Sequence, residues 1–151
     1  MCGIVGMAGG SMTVKHDKMM KDMLVVDTLR GEDSVGLVST RSNGQWQFQK
    51  STAMPLDFLE FKRVKKMFHG NNVMYLGHNR AATVGAVSNA TAHPFHCGDI
   101  VGVHNGTLHG WKKDLDDSDD FEVDSECLLH NISKNGIKAT LEAIQGAWAL
   151  V

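Results

Sequence analysis

The sequence predicts an α+β domain, with helices packed on an antiparallel or mixed sheet. Three observations carry that prediction. Short apolar runs of strand length recur, Asn43-Gly44 supplies a strong hairpin signal, and the helical-period stretches do not alternate strictly with the strands.

In order along the chain, Val5 to Met7 sits in an apolar run closed by Gly9-Gly10 and reads as a buried strand. Ser11 or Thr13 can cap a helix whose buried stripe includes Met20, Met23, Leu24 and Val25, stopped near Gly31. Val35 to Ser39 and Gln45 to Gln49 flank the Asn43-Gly44 turn as a hairpin. Pro55 fits the first turn of a second helix running through Leu56, Leu59, Val64 and Met67 and ending before Gly70. Val73 to Gly77 and Ile100 to His104 read as buried strands, and Cys127 to Ile132 and Ile137 to Ile144 as helices. Ala147 to Val151 reads as the start of a last strand, and the chain stops within it. The sheet edge left there predicts a homo-oligomer, a partner segment to cover it, or low thermal stability.

At 151 residues the chain has the length of one domain, large enough to bury about 68–70% of its unfolded surface. A net charge of −2 leaves no basic footprint for nucleic acid or an anionic membrane. No apolar run approaches the ~18 residues of a membrane span, and the first residues have neither the basic region of a secretory signal nor a lipoprotein leader ahead of Cys2. Three cysteines without framework spacing suit a reducing cytoplasm.

Cys2 becomes the first residue if the initiator methionine is removed, which is usual before so small a side chain. Its thiol, ordinarily titrating near ~8.5, then shares a residue with an α-amino group titrating near ~7.7–8.0. One residue thus supplies both a nucleophile and a base. Asn105-Gly106 closes a predicted strand at a sharp turn, where a side-chain amide and a backbone N–H can serve as paired oxyanion donors. Arginine grips a carboxylate bidentately and aspartate suits an ammonium. Out of context, however, Arg80 reads as a surface charge and Asp124 as a helix N-cap.

The blocks MCGIVG (1–6), RGEDSVG (30–36), GHNRAATVG (77–85), HPF (93–95), VHNG (103–106) and VDSE (123–126) resemble those of class II glutamine amidotransferase domains, in the same order. The resemblance covers residues 1 to about 150. It implies the N-terminal-nucleophile hydrolase fold, a four-layer α-β-β-α sandwich, here apparently truncated at its C-terminus. It also implies hydrolysis of the glutamine side-chain amide, with ammonia passed to an acceptor (synthase) domain or partner chain. By that resemblance Cys2, Asn105 and Gly106 are catalytic. Arg80, Asp124, Arg30, Thr83 and His93 form the substrate-binding set, with Arg30 ordering the nucleophile segment. Two departures bear on the pocket: Ala81 stands where many relatives have an aromatic residue, and Val84 where several have histidine.

No cofactor is implied. The eight histidines, including His93 and His96 beside Cys97, match no zinc signature. The acidic run from Asp114 to Asp120 fails as a calcium loop, because Asp119 falls at the glycine position and Ser125 at the bidentate glutamate position. Two other readings remain: a truncated, non-catalytic module that binds glutamine or a partner, and another N-terminal-nucleophile amide hydrolase.

Overall fold

The computed structural model describes residues 2–151; Met1, whose removal the sequence leads one to expect, lies outside them. The first sheet contains β1 (Gly3–Ala8), β2 (Ser34–Arg41), β3 (Trp46–Ser51) and β4 (Asn72–Arg80) in the order β1-β4-β2-β3. All neighbours are antiparallel. The β2–β3 hairpin turns at Asn43-Gly44 as predicted, with Gly44 at φ 83° and Asn43 Oδ1 accepting the Gln45 N–H at 3.0 Å.

One face of this sheet is covered by α1 (Val14–Val26), α2 (Pro55–Glu60) and α3 (Lys62–Met67). Thr13 caps α1, and its backbone N–H donates at 3.0 Å to Nδ1 of His16, which takes the place usual for Glu or Gln in a capping box. Met20 and Leu24, one turn apart, are fully buried and pack with Val35, Leu37, Phe58, Val64 and Tyr75.

The predicted second helix is two helices. Phe61 is extended (φ −60°, ψ 132°) and breaks it. Phe58 and Val64, both buried, are six residues apart, which on an unbroken helix places them roughly 120° apart around the axis. The break lets both face the core and leaves Leu56 exposed.

Val38 and Leu76, on the other face of the sheet, meet Val101 and Val103 of a second β layer. That layer is split. β5 (Phe95–Cys97) pairs with β6 (Ile100–Gly102), and β7 (His104–His109) pairs with β8 (Gln145–Leu150). The single strand expected at Ile100 to His104 is therefore two, divided at Val103, which exchanges backbone hydrogen bonds of 2.9 and 3.1 Å with Val151. β5 has no counterpart in the sequence reading. Beyond this layer lie α4 (Trp111–Asp114), α5 (Asp124–Asn135) and α6 (Ile137–Ala143), packed through Leu108, Trp111, Leu128 and Ile144. The result is helix, sheet, sheet, helix. β2 is buried along most of its length, and Gly36 within it lets the His93 carbonyl approach so closely that a Cβ would lie 1.9 Å from that oxygen.

Candidate active site

The register of the first sheet assembles the site. Gly3 lies opposite Asn79 and Ser34 opposite Arg80, so the end of β4 is clasped between the starts of β1 and β2. Cys2 therefore meets Ala81 although 79 residues separate them: the Ala81 N–H donates to Sγ at 3.3 Å, and the thiol reaches the Ala81 carbonyl at 3.4 Å. Burial pushes the Cys2 thiol pKa up, while the Ala81 amide and the Arg80 charge oppose that rise. The Cys2 carbonyl accepts from Asn105 Nδ2 at 2.9 Å and from Arg30 Nε at 3.3 Å.

A small cavity of about 20 Å³ brings together Cys2, Arg80, Thr83, His93, Gly106 and Asp124. Asn105 and Arg30 are not among its lining residues; both donate to the Cys2 carbonyl. The cavity takes about one water, and the exposed segment around Gly85 contributes Thr83 and Val84 to its lining. That segment packs on Val123 and donates from Ala86 N to Glu122 Oε1 at 2.6 Å. Gly106 leaves no room for a side chain, since a Cβ would lie 2.3 Å from the Ala147 carbonyl oxygen. A wider groove of about 610 Å³ between α1 and β1 is lined by Val5, Met19, Met23, Val26 and Leu29 together with charged residues from Lys15 to Arg30, and Cys2 is not part of its lining.

Arg80 is 4% exposed, and its guanidinium donates to the Val84 and Ala86 carbonyls and to Thr91 Oγ1. Among the described residues no carboxylate pairs with it. A buried guanidinium held only by neutral oxygens favours an anionic ligand. Asp124, 5% exposed, accepts the Ser125 N–H at 2.8 Å and the Leu108 N–H at 3.2 Å. Val123 is the N-cap of α5 and Asp124 its first helical residue, one place on from the cap position. A buried cation and a buried anion thus face one small cavity.

Three buried histidines back it. His78 donates from Nε2 to the His104 carbonyl at 3.1 Å, and its ring stacks on His93 at 4.0 Å between centroids. His93 lines the cavity with neither ring nitrogen hydrogen-bonded. Burial pushes His93 and His104 below the ordinary 6.5 and His78 down to about 3. A depressed histidine is neutral when folded but binds a proton when unfolded, so the unfolded state holds more protons between those values. Stability is therefore expected to fall as pH drops from about 6.5 toward about 3, by up to ~1.4 kcal/mol per pH unit per ring. The melting temperature should be level above about pH 7 and decline below about pH 6. An unchanged melting temperature down to about pH 5 would contradict the neutral cluster.

His78, His104, Ser125 and the Ala81 amide were not among the sequence-derived site residues. All four lie inside the matched blocks, but their roles depend on how β1, β4, β7 and α5 pack, which no local pattern encodes.

The fold is that of the N-terminal-nucleophile hydrolases. The structure of the allosteric regulatory enzyme of purine biosynthesis superimposes with a TM-score of 0.73 at 21% identity, covering 97% of this chain and 34% of that one. Glutamine phosphoribosylpyrophosphate amidotransferase from B. subtilis, complexed with ADP and GMP, gives 0.67 at 21% identity over the same shares. In sequence, the chain is 30% identical to a glutamine–fructose-6-phosphate aminotransferase (isomerizing) of Sulfurisphaera tokodaii over 168 residues, covering all of this chain and 28% of that protein. It is 29% identical to amidophosphoribosyltransferase of Escherichia coli over 177 residues, covering all of this chain and 34% of that protein. The chain is thus a homologue of class II glutamine amidotransferases, and it spans about a third or less of the length of these curated relatives. No protein-family profile matches it.

Proposed function

We propose that the chain is a glutaminase domain that hydrolyses the side-chain amide of glutamine to glutamate and ammonia. The observation that carries this reading is the meeting of Cys2, Arg80, Gly106 and Asp124 at one buried cavity, from segments scattered over more than 120 positions. Freed of Met1, the Cys2 amine takes the thiol proton, and Sγ attacks the amide carbon. The oxyanion receives the Gly106 N–H and one hydrogen of Asn105 Nδ2. A carboxamide has two such hydrogens, and the Cys2 carbonyl engages only one. The tetrahedral intermediate collapses as the ammonium of Cys2 returns its proton to the leaving nitrogen, releasing ammonia. Water then hydrolyses the thioester to glutamate and the free thiol.

Arg80 holds the substrate carboxylate and Asp124 its ammonium, with Thr83 and His93 walling the pocket and Arg30 ordering Cys2. The ammonia goes to an acceptor (synthase) domain or partner chain, as the names of the relatives suggest. Three free cysteines support a reducing cytoplasm, and among the described residues no helix is long and apolar enough to cross a membrane. A non-catalytic binding module is the second reading; the narrow cavity and Ala81 in place of an aromatic wall favour it.

Arg80→Ala and Asp124→Ala test the pocket. Both hold groups that do not react, so each is expected to raise the glutamine concentration giving half-maximal rate more than it lowers the maximal rate. Losing a bond to a charged group corresponds to roughly 10-fold or more. An unchanged concentration dependence removes that residue from the pocket.

A further inference from the structure

We infer that His104 is a substrate-binding residue, using Nε2 as a second acceptor, beside Asp124, for the α-ammonium of an amino-acid ligand. The inference rests on the glutamine-site reading above and adds a residue and an atom to it. His104 opens β7, is 2% exposed, and lines the same cavity as Arg80 and Asp124. Its Nδ1 lies 2.7 Å from Ser125 Oγ, and that hydroxyl lies 3.3 Å from Asp124 Oδ1. Among the described residues Nε2 has no hydrogen-bond partner.

The direction of this chain of contacts follows from proton count. Ser125 has a single hydroxyl hydrogen, and two acceptors compete for it, an imidazole nitrogen and a carboxylate. A carboxylate only accepts, so the Ser125 hydroxyl is the donor across the 3.3 Å contact with Asp124. The hydroxyl oxygen then accepts from His104, whose ring carries its hydrogen on Nδ1. Nε2 is left as a bare lone pair. His78 has the opposite tautomer, because its Nε2 contacts a carbonyl, which only accepts.

A buried lone pair without a donor is unfavourable. One on a residue lining the same cavity as an aspartate and an arginine without a carboxylate partner suits the two ends of a zwitterion. Arg80 faces the carboxylate; Asp124 and His104 share the ammonium. Ser125 locks the ring and the aspartate in register with each other, which explains a serine after Asp124 in physical terms.

The test uses the whole chain with its free Cys2 amine. Nitrogen NMR of labelled histidines is expected to show the Nδ1–H tautomer for His104, with the Nε2 signal moving on addition of L-glutamate, a ligand that needs no catalysis. His104→Gln keeps a polar group near the Nε2 position, whereas His104→Asn keeps one near Nδ1. Calorimetric L-glutamate affinity is expected to fall on the order of tenfold in His104→Asn and less in His104→Gln. The reverse order, or hydrogen on Nε2, overturns the assignment and leaves His104 as an anchor for Ser125. If the parent binds neither L-glutamate nor L-glutamine, the glutamine-site reading falls with it. If the parent binds both and the two variants match it, only the His104 assignment falls.

Discussion

Protein carrying an uncleavable residue ahead of Cys2 is expected to lose glutaminase activity by about 10²–10⁴, the usual contribution of a positioned acid–base group. In that form the nitrogen of Cys2 is an amide, which is not basic near neutral pH. The thiol loses its proton acceptor, and the leaving ammonia loses its donor. The three histidines backing the site are poor substitutes, because burial disfavours the protonated form each would have to reach. Among molecules with a free amine, the rate should climb with pH through the α-amino range near ~7.7–8.0, because the acceptor must be unprotonated. Burial of the thiol, which pushes its pKa up, carries the rise to still higher pH. Intact mass gives the fraction lacking Met1, and activity should track it. Equal rates for extended and processed protein would show that another base serves Cys2.

Asn105→Ala is expected to lower turnover on the order of 10²–10³, the effect of deleting one oxyanion donor. The side chain has two tasks here. Its 2.9 Å bond to the Cys2 carbonyl holds that backbone, and its remaining hydrogen is the one proposed to serve the oxyanion. Arg30 grips the same carbonyl at 3.3 Å, so Cys2 stays partly restrained when Asn105 is removed. The loss should therefore appear chiefly in the maximal rate, not in the glutamine concentration required. A loss below about threefold, with activity present in the parent, would remove Asn105 from the oxyanion site.

Much of this architecture was legible in the sequence because it is locally determined. The β2–β3 hairpin follows from Asn43-Gly44, α1 from its cap and its Met20–Leu24 stripe, and β8 from the apolar run at 147–151. What escaped depends on packing between elements. Nothing in the apolar period of residues 55–67 shows that Phe61 breaks the helix, because the break serves to turn both Phe58 and Val64 toward a core made by other segments. Ile100 to His104 looks continuous, yet Val103 bonds to Val151 and hands the chain from one strand pair to another. The site divides the same way. Motif resemblance named Cys2, Arg80, Asp124 and Gly106, which the register of β1 and β2 on β4 and the packing of α5 and β7 bring to one cavity. It also gave Asn105 an oxyanion role and Arg30 that of ordering the nucleophile segment, and both side chains donate to the Cys2 carbonyl. His104 was missed because its partner Ser125 is 21 residues away on another element.

The most direct measurement of the central claim is glutamate release from glutamine by the chain with a free Cys2 amine, set against its Cys2→Ala variant. Alanine removes the sulfur and keeps the amine, the cavity lining and the histidine cluster. The account predicts measurable glutamate release by the parent, with the thioester on Cys2 detectable as a mass increase on rapid quenching, and neither in the variant. Glutamate formed at equal rates by both proteins would contradict it.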